Sequence, residues 1–270
     1  DAVIAWRQAE GAVQPPTLEV LPLSVATAGR THPTSHPPRL TGPRSWPVLR
    51  ALVVAWMTVR TVFSRDYIYT LATGQDAADF ERFEALGARM DSDHTGRALH
   101  LGDTPTPHFD TSRDYPSNSL GAHMKAHFEA ATLDVELFPT RYPMSRRGTW
   151  VKERWRYLHD ARHVLLGLGL TVPEELVLHG FQFGQHATWS GALIMLVGFP
   201  LTLPFRVAPW RQLAAIRAAF LLGRQARLVV AVPVEDWVDE PIDAVRQRLG
   251  IVPMGQRYGG NGIFPALEAR

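Results

Sequence analysis

From Pro47 onward, apolar positions recur at the spacing of helix faces. The stretch "VLRALVVAWMTVRTVF" (48–63) is apolar on most sides, with Arg50 and Arg60 toward its ends. The uncharged run between those arginines is far shorter than the about 20 residues a bilayer span requires, which predicts a buried or interfacial helix. "DAADFERFEALGARM" (76–90) puts Phe80, Phe83, Leu86 and Met90 on one face. A further helix fits 117–133, and the proline-bearing stretch 101–116 before it reads as a loop. A long helix is predicted over about 148–167, closed by Gly167 and Gly169, because glycine readily takes the left-handed conformation that ends helices. Thr171-Val172-Pro173-Glu174 then opens another. Thr171 is the N-cap, Pro173 sits in the first turn where its missing N–H costs little, and Glu174 completes a capping box. That helix is expected to run from about 172 to 198. A helix over 208–225 comes next, then a short extended segment, "LVVAV" (228–232), and a final helix over 240–250 stopped by Gly250.

Strand signals are otherwise scarce and no repeat is visible. The expected fold is all-α, an irregular multi-helix bundle with an apolar cavity, formed by one domain over 48–270. Residues 1–47, dense in Pro, Ser, Thr and Gly, read as a disordered tail. The segment 187–205 is long and apolar enough to raise the question of a membrane span. Pro200, Pro204 and the polar Gln182, Gln185 and His186 before it favour a core helix or the wall of an apolar cavity.

Composition narrows the chemistry. Hydrophobic residues make up 46% and charged residues 20% of the 270-residue chain, as in a globular protein with a sizeable core. The formal net charge of +2 and the absence of a long basic run argue against nucleic acid as a partner. There is no cysteine, which excludes disulfides, thiolate zinc sites, iron–sulfur clusters and cysteine nucleophiles. Any metal must use His, Asp, Glu, carbonyls or water. Residues 20–50 carry four arginines and no acid, faintly like an organellar presequence, but their prolines oppose the amphipathic helix a presequence needs.

The candidate chemistry lies in "WRYLHDARHVLLGLGLTVPEELVLHGFQFGQ" (155–185). His159 and His163 are four apart and project from one helix face, with Asp160 on its flank. Glu175 follows across the glycine break. If the second helix folds back antiparallel, its first turn approaches the end of the first. Glu174 is occupied by capping, which leaves Glu175 free to reach an ion. Imidazole and carboxylate donors suit Zn²⁺, Fe²⁺ or Mn²⁺, and the set alone does not choose among them. The pattern is related to H-E-x-x-H, with Asp160 a shorter arm suited to ligation or to orienting a ligand. On spacing alone, a hydrogen-bonded His/Asp network between two helices is an equal alternative. His123 and His127 share the four-residue spacing, without a nearby carboxylate except Glu129, and read as a solvated face. His179 reads as a core residue or a neighbour of the ligands. Trp189 and Trp237 read as packing anchors, and "YGGNG" (258–262) as too short and badly placed for a phosphate loop.

The stretch 153–185 resembles the signature of the coenzyme Q (ubiquinone) biosynthesis protein 4 family, H-D-x-x-H followed by eleven residues and Glu. His159, Asp160, His163 and Glu175 meet it, and Arg154, Arg156, Gly167, Gly169 and Gln185 match around it. A second similar block, 223–251, matches through Gly223-Arg224, Trp237, Pro241, Val245-Arg246 and Leu249-Gly250-Ile251. "NSLG" (118–121) is similar to a central turn of the family, and the likeness extends over about 60–255. Two positions depart. Arg162 stands where members usually carry an aromatic or apolar residue, and His179 replaces what is commonly Gln.

The resemblance implies an all-helical fold and a divalent metal, zinc before iron or manganese, held by His159, Asp160, His163 and Glu175, which would also be the catalytic residues. It further implies a channel for a polyprenyl tail and association with a membrane surface. Its partners would be a prenylated ubiquinone precursor and the other ubiquinone-biosynthesis enzymes, with a homodimer left open. The expected place is the cytoplasmic face of a bacterial inner membrane, or the matrix side of the mitochondrial inner membrane in a eukaryote. The implied activity is oxidative decarboxylation at ring carbon 1 of a polyprenylated hydroxybenzoate-type precursor. Within that reading Phe181, Phe183, Leu193 and Leu196 line the tail cavity, and Arg154, Arg156 or Arg162 pairs an anionic head group. The alternatives are a non-catalytic prenyl-lipid-binding scaffold with a structural metal, and a metal-dependent hydrolase of prenyl phosphates or lipid esters. The hydrolase lacks an obvious spare acid to serve as its base.

Overall fold

The computed structural model describes residues 67–92, 109–131, 144–200 and 208–254. The proline-rich 1–47, the helix expected over 48–63 and the glycine-rich 258–262 lie outside these residues. Among the described residues seven α-helices follow one another: α1 (Tyr67–Ser92), α2 (Leu120–Ala131), α3 (Arg146–Leu166), α4 (Val172–Gln185), α5 (Trp189–Gly198), α6 (Pro209–Gln225) and α7 (Ile242–Leu249). Two 3₁₀ turns, Val229–Ala231 and Val234–Trp237, link α6 to α7. No strand occurs among the described residues, and the segment expected to be extended at 228–232 contains the first 3₁₀ turn. The fold is all-α.

The long α3 is the hub. Ser145 starts it by accepting the Gly148 N–H at 3.0 Å, and Val151, Leu158, Ala161, Leu165 and Leu166 are buried along it. The buried face of α1 packs on α3 through Phe83, Leu86 and Met90. Gly167 ends α3 with φ of 64°, in the left-handed region that favours glycine. The Leu168 N–H reaches back to the His163 carbonyl at 2.9 Å. Arg246 on α7 donates to the last carbonyls, Leu165 at 2.9 Å and Val164 at 3.0 Å, which satisfies orphan acceptors and sets a cation at the negative end of the helix. Arg154, fully buried on α3, donates to the Val230 and Val232 carbonyls and, through Nη1 and Nη2, donates two parallel hydrogen bonds of 2.9 Å to the Glu235 carboxylate. It fastens the 3₁₀ segment to the hub.

Glu174 opens α4 in the role its position predicts. It accepts the Thr171 N–H at 3.1 Å, the Thr171 hydroxyl at 2.6 Å and the Gly169 N–H at 3.0 Å. The chain therefore turns back on itself within five residues of the end of α3. The helix expected over 172–198 is two helices, α4 and α5, broken at His186–Thr188. The cause lies far away in sequence. Asp79 of α1 accepts the N–H groups of Trp189 (2.6 Å) and Ser190 (3.1 Å), and Thr188 accepts from Gly191, so the orphan donors of a new helix start are satisfied there. The break makes α5 only 10 residues long. No described helix is long and apolar enough to cross a membrane.

Helices α4 and α6 pack more extensively than any other pair of described helices, and they do so almost backbone to backbone. A Cβ on Gly223 would stand 2.2 Å from the Phe181 carbonyl, and one on Gly184 2.2 Å from the Phe220 carbonyl. Gln185 locks the same contact, donating to the Arg227 carbonyl at 2.8 Å and accepting the Val229 N–H at 2.9 Å. Beyond the end of α4, the His186 ring lies against Trp155 (centroids 6.0 Å) and Phe83 (6.0 Å), and burial pushes its pKa down to about 4.

Two outcomes follow. Gly223→Ala forces α4 and α6 apart and lowers stability by about 1–3 kcal/mol, measured as a shift in the thermal or urea midpoint. His186, held neutral when folded, takes up a proton on unfolding below pH 6.5, so it costs stability as pH falls toward 4. His186→Phe is expected to gain on the wild type by roughly 2–3 kcal/mol between pH 7 and pH 4, read from paired urea titrations.

Candidate metal centre

The glycine-ended α3 and the capped start of α4 bring three side chains to one point. Glu175 Oε1 is 3.1 Å from His159 Nε2, and Glu175 Oε2 is 3.0 Å from His163 Nε2. The two imidazole nitrogens are 3.3 Å apart. Donor atoms bonded to one first-row divalent ion at about 2.1 Å lie roughly 3–3.5 Å from each other, so the three fit a common ion. Among the described residues they are the cluster of His and acid side chains able to hold one. Every donor is nitrogen or oxygen, as the lack of cysteine requires.

The two helices run antiparallel through this contact, pairing His163 with Glu175, His159 with His179 and Gln182, and Trp155 with His186. The Gln182 side-chain amide sits 3.2 Å from His159 Nδ1. With its oxygen turned toward the ring it accepts Nδ1–H and leaves the Nε2 lone pair facing Glu175, the relation that orients metal-binding histidines. The site is one-sided. His163 is fully buried, whereas the His159 and Glu175 side chains are 31% and 34% exposed, so a ligand can approach on their side.

Electrostatics hold the carboxylate charged. Burial opposes ionisation of Glu175, but the His159 charge and hydrogen bonds from His159 and His163 outweigh it and hold the carboxyl well below its ordinary range. For His159, burial works against the proton, yet Glu175 wins and the pKa is raised. His179 lies 3.6 Å from Glu175 Oε1 and is pushed by burial down to about 4. It is a neutral imidazole at neutral pH.

Asp160 does not join the convergent three. It faces His127 of α2, with Oδ1 3.8 Å from His127 Nε2. Burial raises its pKa, but His127 and then His159 overcome this and the net direction is down. His127 corrects a reading from sequence. It is buried rather than solvated, and its ring stacks on His163 at 5.4 Å. No local pattern marks it, because α2 reaches the site only through tertiary packing. His123 is exposed as expected and pairs with Asn118.

The arginines expected at a head group separate. Arg154 spends its donors on the 3₁₀ segment and Glu235, and Arg156 pairs with Asp76 at 2.9 Å beside buried Lys152, so both are structural. Arg162 is fully buried. Its Nη1 donates to the Trp155 carbonyl at 2.8 Å, and its guanidinium lies 4.2 Å over the Trp155 ring. Burial first and the Arg154 charge second lower its pKa to about 9. The expected tail lining also divides. Phe181 is sealed in the core and Phe183 packs on Phe220, while Leu193 is half-buried. Leu196 is 72% exposed rather than buried against its described neighbours. Trp237 packs against the core beneath Arg248, whereas Trp189 is 43% exposed, with Arg82 over its ring, and is not the packing anchor expected.

The chain is similar to several known proteins. A protein from Bos taurus named ubiquinone biosynthesis protein COQ4 homolog, mitochondrial, is 31% identical over 122 residues, 45% of this chain and 46% of its own length. The Pyrenophora tritici-repentis protein named ubiquinone biosynthesis protein coq4, mitochondrial, is 30% identical over 175 residues, 62% of this chain and 58% of its own. The chain thus spans about half the length of these curated relatives. A crystal structure described as a putative ubiquinone biosynthesis protein from Nostoc punctiforme superposes with a TM-score of 0.60 at 17% identity, over 78% of this chain and 99% of that one, and supports the fold. The sequence profile of Coenzyme Q (ubiquinone) biosynthesis protein Coq4 matches residues 46–255, and the chain belongs to that family.

Proposed function

We propose that the protein acts in ubiquinone biosynthesis as a metal-dependent enzyme, carrying out oxidative decarboxylation at ring carbon 1 of a polyprenylated hydroxybenzoate-type precursor. The observation that carries this reading is the meeting of His159, His163 and Glu175 at mutual distances of 3.0–3.3 Å on a face open to solvent. Family membership supports the pathway, the family resemblance implies the reaction, and the donor set is compatible with the metal that reaction would use. The three side chains would hold a divalent ion, zinc before iron or manganese. When bound, such an ion supplies Lewis-acid stabilisation of the negative charge that develops on the ring and its phenolic oxygen as the carboxyl group leaves. Overall, a ring carboxylic acid, dioxygen, two protons and two electrons from an external reductant give a phenol, carbon dioxide and water.

The chain's own residues do the rest. Glu175 stays charged and, with the two Nε2 atoms, presents three donors of fixed spacing. Gln182 orients His159, and buried His163 closes the back of the site, so the substrate comes from the His159–Glu175 side. Asp160 and His127 flank the donors without meeting the common point. They act on their orientation and charge. Exposed Leu196 (72%), Trp210 (72%) and Leu213 (55%) suit a surface that meets lipid or a partner enzyme, which supports peripheral attachment to a membrane. The same apolar surface favours the second reading, a prenyl-lipid-binding scaffold that organises the other biosynthetic enzymes around a structural metal.

Metal analysis by native mass spectrometry decides first. Wild type is expected to carry one divalent ion, and His163→Ala to weaken it by about 100-fold or more while Asp160→Asn costs roughly tenfold. A wild type that holds no ion sinks both readings. Carbon dioxide release from a prenylated hydroxybenzoate, with dioxygen and a reductant, then separates them: turnover lost in Glu175→Gln supports the enzyme, and a metal-loaded protein without turnover supports the scaffold.

A further inference from the structure

Arg162 is a buried charge that no described residue neutralises. Among the described residues, its Nε and Nη2 are buried and have no hydrogen-bond partner, and no carboxylate pairs with it. A guanidinium in that condition is costly unless something accepts from it. The two unpartnered donors are also the two on one edge of the guanidinium, the edge that meets both oxygens of a carboxylate at once. The group cannot swing away. Nη1 is fixed to the Trp155 carbonyl at 2.8 Å, and the Trp155 ring covers one face at 4.2 Å. Arg162 lies on α3 between the two ligand histidines in sequence-adjacent turns, and its charge is close enough to act on His159 and His179. By contrast, buried Arg154 on the same helix has every edge occupied by carbonyls or by Glu235.

We propose that the Nε–Nη2 edge of Arg162 is a carboxylate-binding subsite beside the metal centre, which takes the carboxylate of the substrate. The proposal rests on the substrate class assigned above and adds a division of labour. The arginine holds the carboxylate, and the ligand cluster is left to face the ring and its phenolic oxygen. A planar two-oxygen anion fits the fork. A neutral amide of the same shape offers one acceptor and no charge, and binds less well.

The test uses the full chain treated with a chelator, so that it reads Arg162 and not the metal. The probes are 3-geranyl-4-hydroxybenzoate, its carboxamide and inorganic phosphate. In ¹⁵N-arginine-labelled wild type, the Arg162 Nε–H signal is expected to move on titration with the acid and to stay in place with the amide. Arg162→Gln is expected to weaken the acid by about tenfold or more and to leave the amide unchanged, by calorimetry. Arg162→Lys keeps the charge without the fork and should lose most of the preference for acid over amide. If Arg162→Gln does not fold, the wild-type titration and the lysine variant still decide. Equal binding of acid and amide by wild type overturns the proposal, as does an Nε–H signal that answers to phosphate alone or to none of the probes. Because metal is absent throughout, loss of the metal reading leaves this result standing, and the converse also holds.

Discussion

Everything at the site depends on one bridging carboxylate. Glu175 touches two imidazoles from the preceding helix with its two oxygens, and it can do so only because the chain reverses within a few residues. Gly167 supplies the left-handed residue, Arg246 satisfies the carbonyls that the ending helix exposes, and Glu174 caps the helix that begins. Two adjacent glutamates thus have opposite tasks. One is consumed in making the turn, and the other is aimed by it. Burial by itself would neutralise Glu175. The flanking imidazoles keep it ionised, so the convergence of the three groups is also what maintains the charge a cation needs.

Much of this was legible in the sequence. The i, i+4 histidines, the glycines after them and the Thr-x-x-Glu that follows are local signals, and local signals report helix ends and faces faithfully. What was not legible depends on partners distant in the chain. The break between α4 and α5 is made by Asp79, more than a hundred residues upstream. His127 belongs to the site because α2 packs on α3, and nothing in its own neighbourhood says so. Arg154 looks like a substrate contact in the motif, yet its acceptors are the carbonyls of a 3₁₀ segment about 80 residues on. Leu196 satisfies a helical apolar pattern and still faces outward, because α5 is too short and too near the surface to bury all its sides.

The family resemblance and the geometry contribute different things. Membership names a pathway, and the spacing of the donors suits a divalent ion. The departures are where this chain speaks for itself. His179 remains an uncharged imidazole next to the bridging carboxylate, and Arg162 brings a fixed positive charge with an unsatisfied edge into the same seam. Both alter the electrostatics around the three donors without replacing any of them.

The contact between α4 and α6 has a consequence for how such a site can vary. Its glycines let one helix rest on the peptide groups of the other, so there is no layer of side chains between them to thin or thicken. The seat of α4, and with it the reach of Glu175, is therefore dictated by main-chain geometry. Retuning the chemistry is left to the few residues that project into the seam between α3 and α4, where one exchange alters charge or shape and leaves the scaffold where it was.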